Sequence, residues 1–449
     1  MDKNSKVGII VPIYNTADFL RECLDSIVSQ THKDFVAILV DDDSSDKECV
    51  KIALSYVLTD SRFILFTKEN GGQGSAKNLG IEYCLGNIKT TKIKSNSNLN
   101  EYLIPNDNYN AKKLYTNKNF TQNKKADYII FADSDDILEP NWLKECVENI
   151  GVSQLIWYDF AKFYDKVKPK SEPTDLEIYG YKQKQIITPK EWLLKSKEVK
   201  KHSFASGCFV MIRADFLKDI DLKFLHCFGE DNHFGILLFL NAKQITILPK
   251  KLYRYRIRKD SSINYGGQTS IKAIPKRLKA HLSAFLGNPM MLQKYYRAGS
   301  SALMLSEIFK FMQNYDEQLN TLLKDTFLNR LAMLGLNLDS FIADPLGYKK
   351  YLPQIKEYAK ERDLGAYALL HQSLEYQLGS HIISSFKSFD NLIKAPRSLF
   401  MIYNFYRQNK ITYDLSSYND YDYAAKLKNH LSYKIGNLIL RRKNATFKR

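Results

Sequence analysis

The run Tyr128-Ile129-Ile130-Phe131, followed at once by Ala132-Asp133-Ser134-Asp135-Asp136, decides how this chain reads. Four apolar residues, β-branched and aromatic, form a short buried strand. Three carboxylates then fall within four residues at its carboxyl end. Acids so close repel one another unless a cation sits among them. Hard divalent cations such as Mg2+ or Mn2+ take oxygen ligands of this kind, often shared with a phosphate. The same acids also read as a solvated turn before a helix that opens at Glu139-Pro140-Asn141-Trp142-Leu143.

Upstream the pattern repeats. Residues 7–11 are an apolar strand, and Pro12-Ile13-Tyr14-Asn15 turns the chain, with Asn15 or Thr16 placed to cap a helix. Phe19, Leu20, Cys23, Leu24, Ile27 and Val28 recur at helical spacing. Residues 35–40 form a second buried strand that runs into Asp41-Asp42-Asp43, and residues 63–66 form a third. Helices are expected over 47–58 and 75–84. Such β-α-β-α-β alternation predicts an α/β fold, Rossmann-like, with a mixed but mostly parallel sheet. Ligands of such sheets bind beyond the carboxyl ends of the strands, where both acidic clusters fall.

Residues 87–125 interrupt the pattern. They are rich in Asn and Lys and poor in aliphatics, and read as an inserted, partly flexible surface excursion. Strand character returns over 206–212, then in two short strands over 245–248 and 252–255. From about residue 270 strand signals fade and helical stripes take over, which predicts one domain over 1–270 and a helical, basic region over 271–449.

The 449 residues carry 66 Lys and Arg against 49 Asp and Glu, a net charge of +17. That balance favours anionic partners: nucleic acid, anionic lipid headgroups or phosphorylated small molecules. The aromatic-and-basic modules of nucleic-acid binding are not recognisable, so nucleic acid is not an expected partner. After Asp422 the chain has no acids, while Lys426, Lys428, Lys434, Arg441, Arg442 and Lys443 accumulate. Such a region can lie on an anionic membrane, or form a solvated basic helix pair. The six cysteines are scattered without a Cys-x-x-Cys pair, which fits a reducing compartment. No run approaches the roughly 20 apolar residues that span a bilayer, and residues 7–11 are too short for a secretory core. The expected location is cytoplasmic, soluble or peripheral on the inner face of the membrane.

Five segments in order resemble the glycosyltransferases of family 2, which have the GT-A fold. They are Val11-Pro12-Ile13-Tyr14-Asn15, Val40-Asp41-Asp42-Asp43, Asn70-Gly71-Gly72 with Lys77-Asn78-Leu79-Gly80, Asp133-Ser134-Asp135, and Glu230-Asp231. The resemblance covers roughly residues 5–265. It implies a UDP-sugar donor, with Pro12, Tyr14, Asn15, Asp41, Asp42, Lys77, Asp133 and Ser134 around the nucleotide. It implies that Asp135 holds Mn2+ or Mg2+, and that Asp231 is the general base of an inverting transfer to a hydroxyl. Where some members place a metal-ligating His, this chain has Arg258, and Arg256 and Arg258 are then candidates to grip the diphosphate. His226 and His233, beside the Glu-Asp pair, are not expected to be ligands. Trp157, His202 to Gly207 and Phe228 would shape the sugar pocket. The implied acceptor is a growing bacterial surface glycan of capsule or lipooligosaccharide type, free or lipid-linked, and the transferred unit a hexose or N-acetylhexosamine. Two other classes share some of these features: a sugar-nucleotide nucleotidyltransferase, and a basic nucleic-acid- or glycan-binding protein without catalysis. The first lacks its Gly-rich phosphate loop, since Pro12-Ile13-Tyr14-Asn15 stands there.

Overall fold

The computed structural model describes residues 5–96, 98–105, 108–121, 125–169, 172–205, 208–258, 276–285, 287–386, 399–400, 402–403 and 415–446. The chain divides into two compact units, Met1–Asn264 and Tyr265–Arg449. The expected boundary near residue 270 lies outside the described residues.

The first unit is built on one mixed sheet. Its strands are β1 (Val7–Ile13), β2 (Phe35–Asp41), β3 (Phe63–Lys68), β4 (Thr91–Ser95), β5 (Leu99–Leu103), β6 (Ala111–Asn117), β7 (Tyr128–Phe131), β8 (Ile137–Leu138), β9 (Leu155–Tyr164), β10 (Gln185–Ile187), β11 (Val210–Arg213) and β12 (Ile245–Ile257). Their order is β10-β12-β9-β11-β7-β1-β2-β3-β6-β5-β4, with β8 paired to β12. The centre, β7-β1-β2-β3, is parallel, as are β9 and β12. The flanks are antiparallel. Every residue of β1, β2 and β7 is buried. Continuous apolar runs are what parallel strands covered on both faces require.

Among the described residues eight helices accompany these strands: α1 (Ala17–Val28), α2 (Lys47–Thr59), α3 (Gln73–Cys84), α4 (Trp142–Asn149), α5 (Asp175–Tyr179), α6 (Pro189–Glu198), α7 (Ala214–Asp219) and α8 (Glu230–Asn241). α3 lies hard against β1. A Cβ on Gly8 would sit 2.3 Å from Cys84 Sγ, and one on Gly80 would sit 2.5 Å from Ile10 Cγ2. Glycine at both places is what lets the backbones approach.

Three sequence expectations change here. Pro12 does not begin a turn; it is buried inside β1 and pairs in register with Val40 of β2. A proline in a central strand costs a ladder hydrogen bond only where a neighbour stands ready to accept one. Ile10 accepts from Ala132, so the even residues of β1 face β7, and β7 has ended one pair earlier, at Phe131 opposite Ile10. Residues 91–117 are no loose excursion. They form the antiparallel meander β4-β5-β6, whose last strand extends the sheet from β3. The two short strands expected over 245–255 are one strand, β12, with register irregularities between Leu248 and Tyr253.

The second unit contains helices and no strand among its described residues. Its longest helix, Pro289–Met312, buries Leu292, Tyr295, Tyr296, Leu305 and Ile308. Helices Leu374–Ser385 and Leu431–Thr446 touch backbone to backbone. A Cβ on Gly379 would fall 1.7 Å from the Ser432 carbonyl, and one on Gly436 1.7 Å from that of Glu375. No helix among the described residues is long and apolar enough to cross a membrane.

Candidate active site

The carboxyl ends of β1, β2 and β7 lie side by side, where ligands of such sheets bind, and polar side chains stitch their loops together. Asn15, in the left-handed region at φ 53°, accepts from the Ser45 N–H at 2.9 Å and the Asp46 N–H at 3.2 Å. Thr16 and Ser134 hydroxyls lie 2.9 Å apart and join the β1 loop to the β7 loop. Asn15 and Ser134 thereby hold the loops in place, and Tyr14, beside Asn15 in the chain, is 41% exposed. Pro12 lies behind, in the strand.

Asp41 and Asp42 are neighbours with opposite fates. Both carboxylate oxygens of Asp42 are spent inside the protein. Lys68 Nζ donates at 2.7 Å, Gly71 N–H at 2.8 Å, Gly72 N–H at 2.7 Å and Asn70 Nδ2 at 3.0 Å. Asp42 shapes the Asn70-Gly71-Gly72 turn and has no lone pair left for a nucleotide, which corrects the sequence expectation. Asp41, 4% exposed, has one oxygen at 3.4 Å from the Ser44 N–H and the other buried with no partner among the described residues. Burial pushes its pKa up, against the help of Ser44. A buried acceptor left unpaired costs stability that a ligand N–H or O–H would recover.

The third acid of the β7 loop, Asp136, is the anchor that the sequence reading passed over. It is 1% exposed. Tyr253 Oη donates to it at 2.8 Å and the Arg256 N–H at 2.7 Å, while Tyr253 Oη itself accepts from the Asp133 N–H at 2.9 Å. β12 thus holds the acidic loop in place. Arg256 is used up in the same task. Its Nε donates to the Asp135 carbonyl at 2.6 Å, its guanidinium pairs with Glu22 and Asp165, and it lies 4.8 Å over the Phe19 ring. Buried and committed, Arg256 is not poised on a diphosphate, contrary to expectation.

Arg258 does reach the acidic loop, but it grips a carboxylate. Its Nε and Nη2 each lie 2.9 Å from Asp135 Oδ2. Burial and then the Asp133 charge push the Asp135 pKa up, and Arg258 opposes both. No group of three His, Cys, Asp or Glu side chains among the described residues is arranged to hold a metal. The donor set still suits a hard cation of the Mg2+ type. Such ions are held by one or two carboxylates plus substrate phosphates and water, not by an all-protein cage. Asp135 could supply Oδ1, the oxygen outside the Arg258 pair.

On the other wall, α8 opens with Glu230 and Asp231 after Gly229 turns at φ 72°. Asp231 Oδ1 accepts from the Asn232 N–H at 3.0 Å, and Asn232 Oδ1 accepts from the Phe204 N–H at 3.0 Å. Burial and the Asp231 charge push Glu230 up to about 7. Burial also pushes Asp231 up, and Lys77 opposes it. Lys77 was expected to face the donor's phosphates. It is 2% exposed instead, with Nζ 3.6 Å from Asp133 Oδ1 and 5.3 Å over the Phe224 ring. Gln73, one turn earlier on α3, donates to the same Asp133 oxygen at 2.6 Å. His233 is buried with neither ring nitrogen partnered among the described residues, and burial holds it neutral, down to about 3.

Trp157 does not line the cleft. It is core, ringed by Tyr179, Phe204 and Phe239 at 5.2–5.5 Å. Ser206 and Gly207, expected beside it, lie outside the described residues. A separate cavity of about 310 Å³ sits on β9 and β12, lined by Phe160, Lys162, Glu172, Glu177 and Lys251 among others. Its charges pair off, Lys162 with Glu172 and Lys251 with Glu177, and none of the strand-end acids lines it.

Parallel strands ending in acids, with a second acid pair across a shared cation, define an α/β domain whose ligand cleft lies at the strand ends. The family model described as Glycosyl transferase family 2 matches residues 8–91 and 119–221. A second model, described as a domain of unknown function (DUF8374), matches residues 291–449. An uncharacterized glycosyltransferase of Rickettsia typhi is 48% identical over 314 residues, 68% of this chain and 80% of that protein. Glycosyltransferase GlyA of Streptococcus pneumoniae is 26% identical over 267 residues, 58% of this chain and 31% of GlyA. The crystal structure of S. aureus TarS 1-349 in complex with UDP-GlcNAc aligns at 17% identity and a TM-score of 0.49, covering 91% of this chain and 93% of that one. The chain belongs to glycosyl transferase family 2. It spans 31% of GlyA and 60% of the uncharacterized Bacillus subtilis glycosyltransferase EpsJ.

Proposed function

We propose that this chain transfers a hexose or N-acetylhexosamine from a UDP-sugar to a hydroxyl of a bacterial surface glycan, with inversion at the anomeric carbon. The observation that carries this reading is the unpartnered buried oxygen of Asp41, at the strand ends and on the same cleft as the Asp133–Asp136 loop. A carboxylate there suits the imide N–H of uracil or a ribose hydroxyl. Asp133, partly exposed and held by Gln73, would accept from the ribose. Asp135 would hold Mn2+ or Mg2+, and when bound the cation supplies neutralisation of the charge on the leaving diphosphate. Asp231 would take the proton of the attacking hydroxyl. Its raised pKa makes it a stronger base than an ordinary aspartate.

Calorimetry with UDP tests this reading. Binding that is weakened in Asp41→Asn and by chelator supports it; no binding of any nucleotide sinks it.

The acceptor would be carried near a membrane. On helix Leu431–Thr446, Leu431 is 63% exposed and Leu438 55% exposed, within a stretch rich in Lys and Arg. Apolar and basic residues together suit an anionic lipid surface. Co-sedimentation with anionic vesicles should be lost on removal of residues 424–449, and unaltered partition would rule this out.

A further inference from the structure

Lys77 stands at the meeting of three elements. Asp133 Oδ1, in the loop after β7, lies 3.6 Å from its Nζ, while Glu230 and Asp231 at the start of α8 and the Cys208 thiol before β11 act on it as more distant charges. The Phe131 and Phe224 rings lie 5.8 and 5.3 Å from its Nζ. One turn earlier on the same helix face, a Cβ on Gly74 would fall 3.1 Å from Glu230 Cγ, so α3 and the start of α8 are in direct contact. An ammonium in such a place would be costly alone, because burial disfavours its charge. Here Cys208, Asp133, Glu230 and Asp231 together more than offset that cost and favour the protonated form.

We infer that Lys77 is a positioning residue that joins the two sides of the cleft, its buried ammonium being the shared counter-ion of Asp133 on the donor side and of Glu230 and Asp231 on the acceptor side. This inference rests on the reading of Asp231 as the base. It gives Lys77 a task different from touching phosphate. A fixed cation favours the ionised form of Asp231, the form a base must have. It also ties the loop that meets the donor to the helix that meets the acceptor, so the two walls keep one spacing. A lysine does this as a compact point charge on a slim stem, which suits a slot between two aromatic rings.

The test compares the full chain with Lys77→Met and Lys77→Arg. If the chain turns over a UDP-sugar, the acid limb of kcat/KM should move up by about one pH unit or more in Lys77→Met and return toward the parent in Lys77→Arg. A uniform drop in rate with an unmoved acid limb in Lys77→Met would overturn the inference. A second readout needs no turnover. Loss of Lys77 leaves Glu230 and Asp231 uncompensated, so the melting temperature of Lys77→Met should lie well below the parent at pH 8 and approach it at pH 5, where Glu230 is protonated. Adding Asp231→Asn to Lys77→Met should cost less than the sum of the two single changes. A melting deficit that is the same at both pH values, with strictly additive changes, would equally overturn it. A chain that melts as expected but transfers no sugar would count against the proposed function and leave the counter-ion intact.

Discussion

Arg258 holds Asp135 by a single oxygen, Oδ2, with its Nε and Nη2 both 2.9 Å away. A divalent ion held there, as proposed, would share this one carboxylate with the guanidinium. Arg258→Met should therefore lower the Mn2+ concentration needed for half-maximal UDP release while also lowering kcat, because a positive charge near the leaving diphosphate is lost. A metal titration of the two proteins checks this. An unchanged half-saturation point would show that Arg258 and the metal do not compete.

Asp41 and Asp42 should separate cleanly on mutation. Asp42→Asn leaves Lys68, 1% exposed at its side chain, without its counter-charge, and should cost roughly 3–5 kcal/mol of stability, as other broken buried pairs do. Asp41→Asn removes a strained buried charge and should leave the melting temperature equal or higher. It should weaken UDP binding by about 1–3 kcal/mol, the cost of a lost buried hydrogen bond. Denaturant unfolding and calorimetry on both variants give the comparison.

Glu230 sets a pH dependence of stability. Its ordinary value is 4.5 and the fold raises it to about 7. The folded state therefore binds the proton more tightly than the unfolded one, and its stabilising contribution is complete below about pH 4.5. That contribution is lost as pH rises through 7. Glu230→Gln should flatten this slope. Melting temperatures from pH 5 to 8 measure it, and an identical slope in both proteins would contradict the assignment.

Arg256 is a structural cation, and its replacement should behave accordingly. Arg256→Met unpairs Glu22 and Asp165 and loosens the hold of β12 on the acidic loop. Stability should fall by roughly 2–4 kcal/mol, with activity falling in proportion to unfolded protein near the melting range. Full stability with a selective rise in donor KM would instead restore the diphosphate role.

The central strands and the place of the cleft were legible because buried parallel strands write themselves as unbroken apolar runs ending in polar residues. The meander over residues 91–117 was not, since β4 is exposed along its whole length and shows no apolar face. Asp41 and Asp42 look alike in sequence; only the fold shows that Lys68 and two glycine N–H groups claim the second. Lys77 reads as an ordinary helix lysine until acids from more than 50 and 150 residues downstream close around it. The third acid of the run, Asp136, is plain in the sequence, but its partners on β12 are set by tertiary pairing alone.

The most direct measurement is UDP release from a panel of UDP-sugars by the full chain, with Mn2+ or Mg2+ and then with chelator. The account predicts slow, metal-dependent release from one donor, abolished in Asp135→Ala and in Asp231→Asn. Release that survives chelator and both substitutions, or a chain that neither binds UDP nor releases it from any donor, would contradict it.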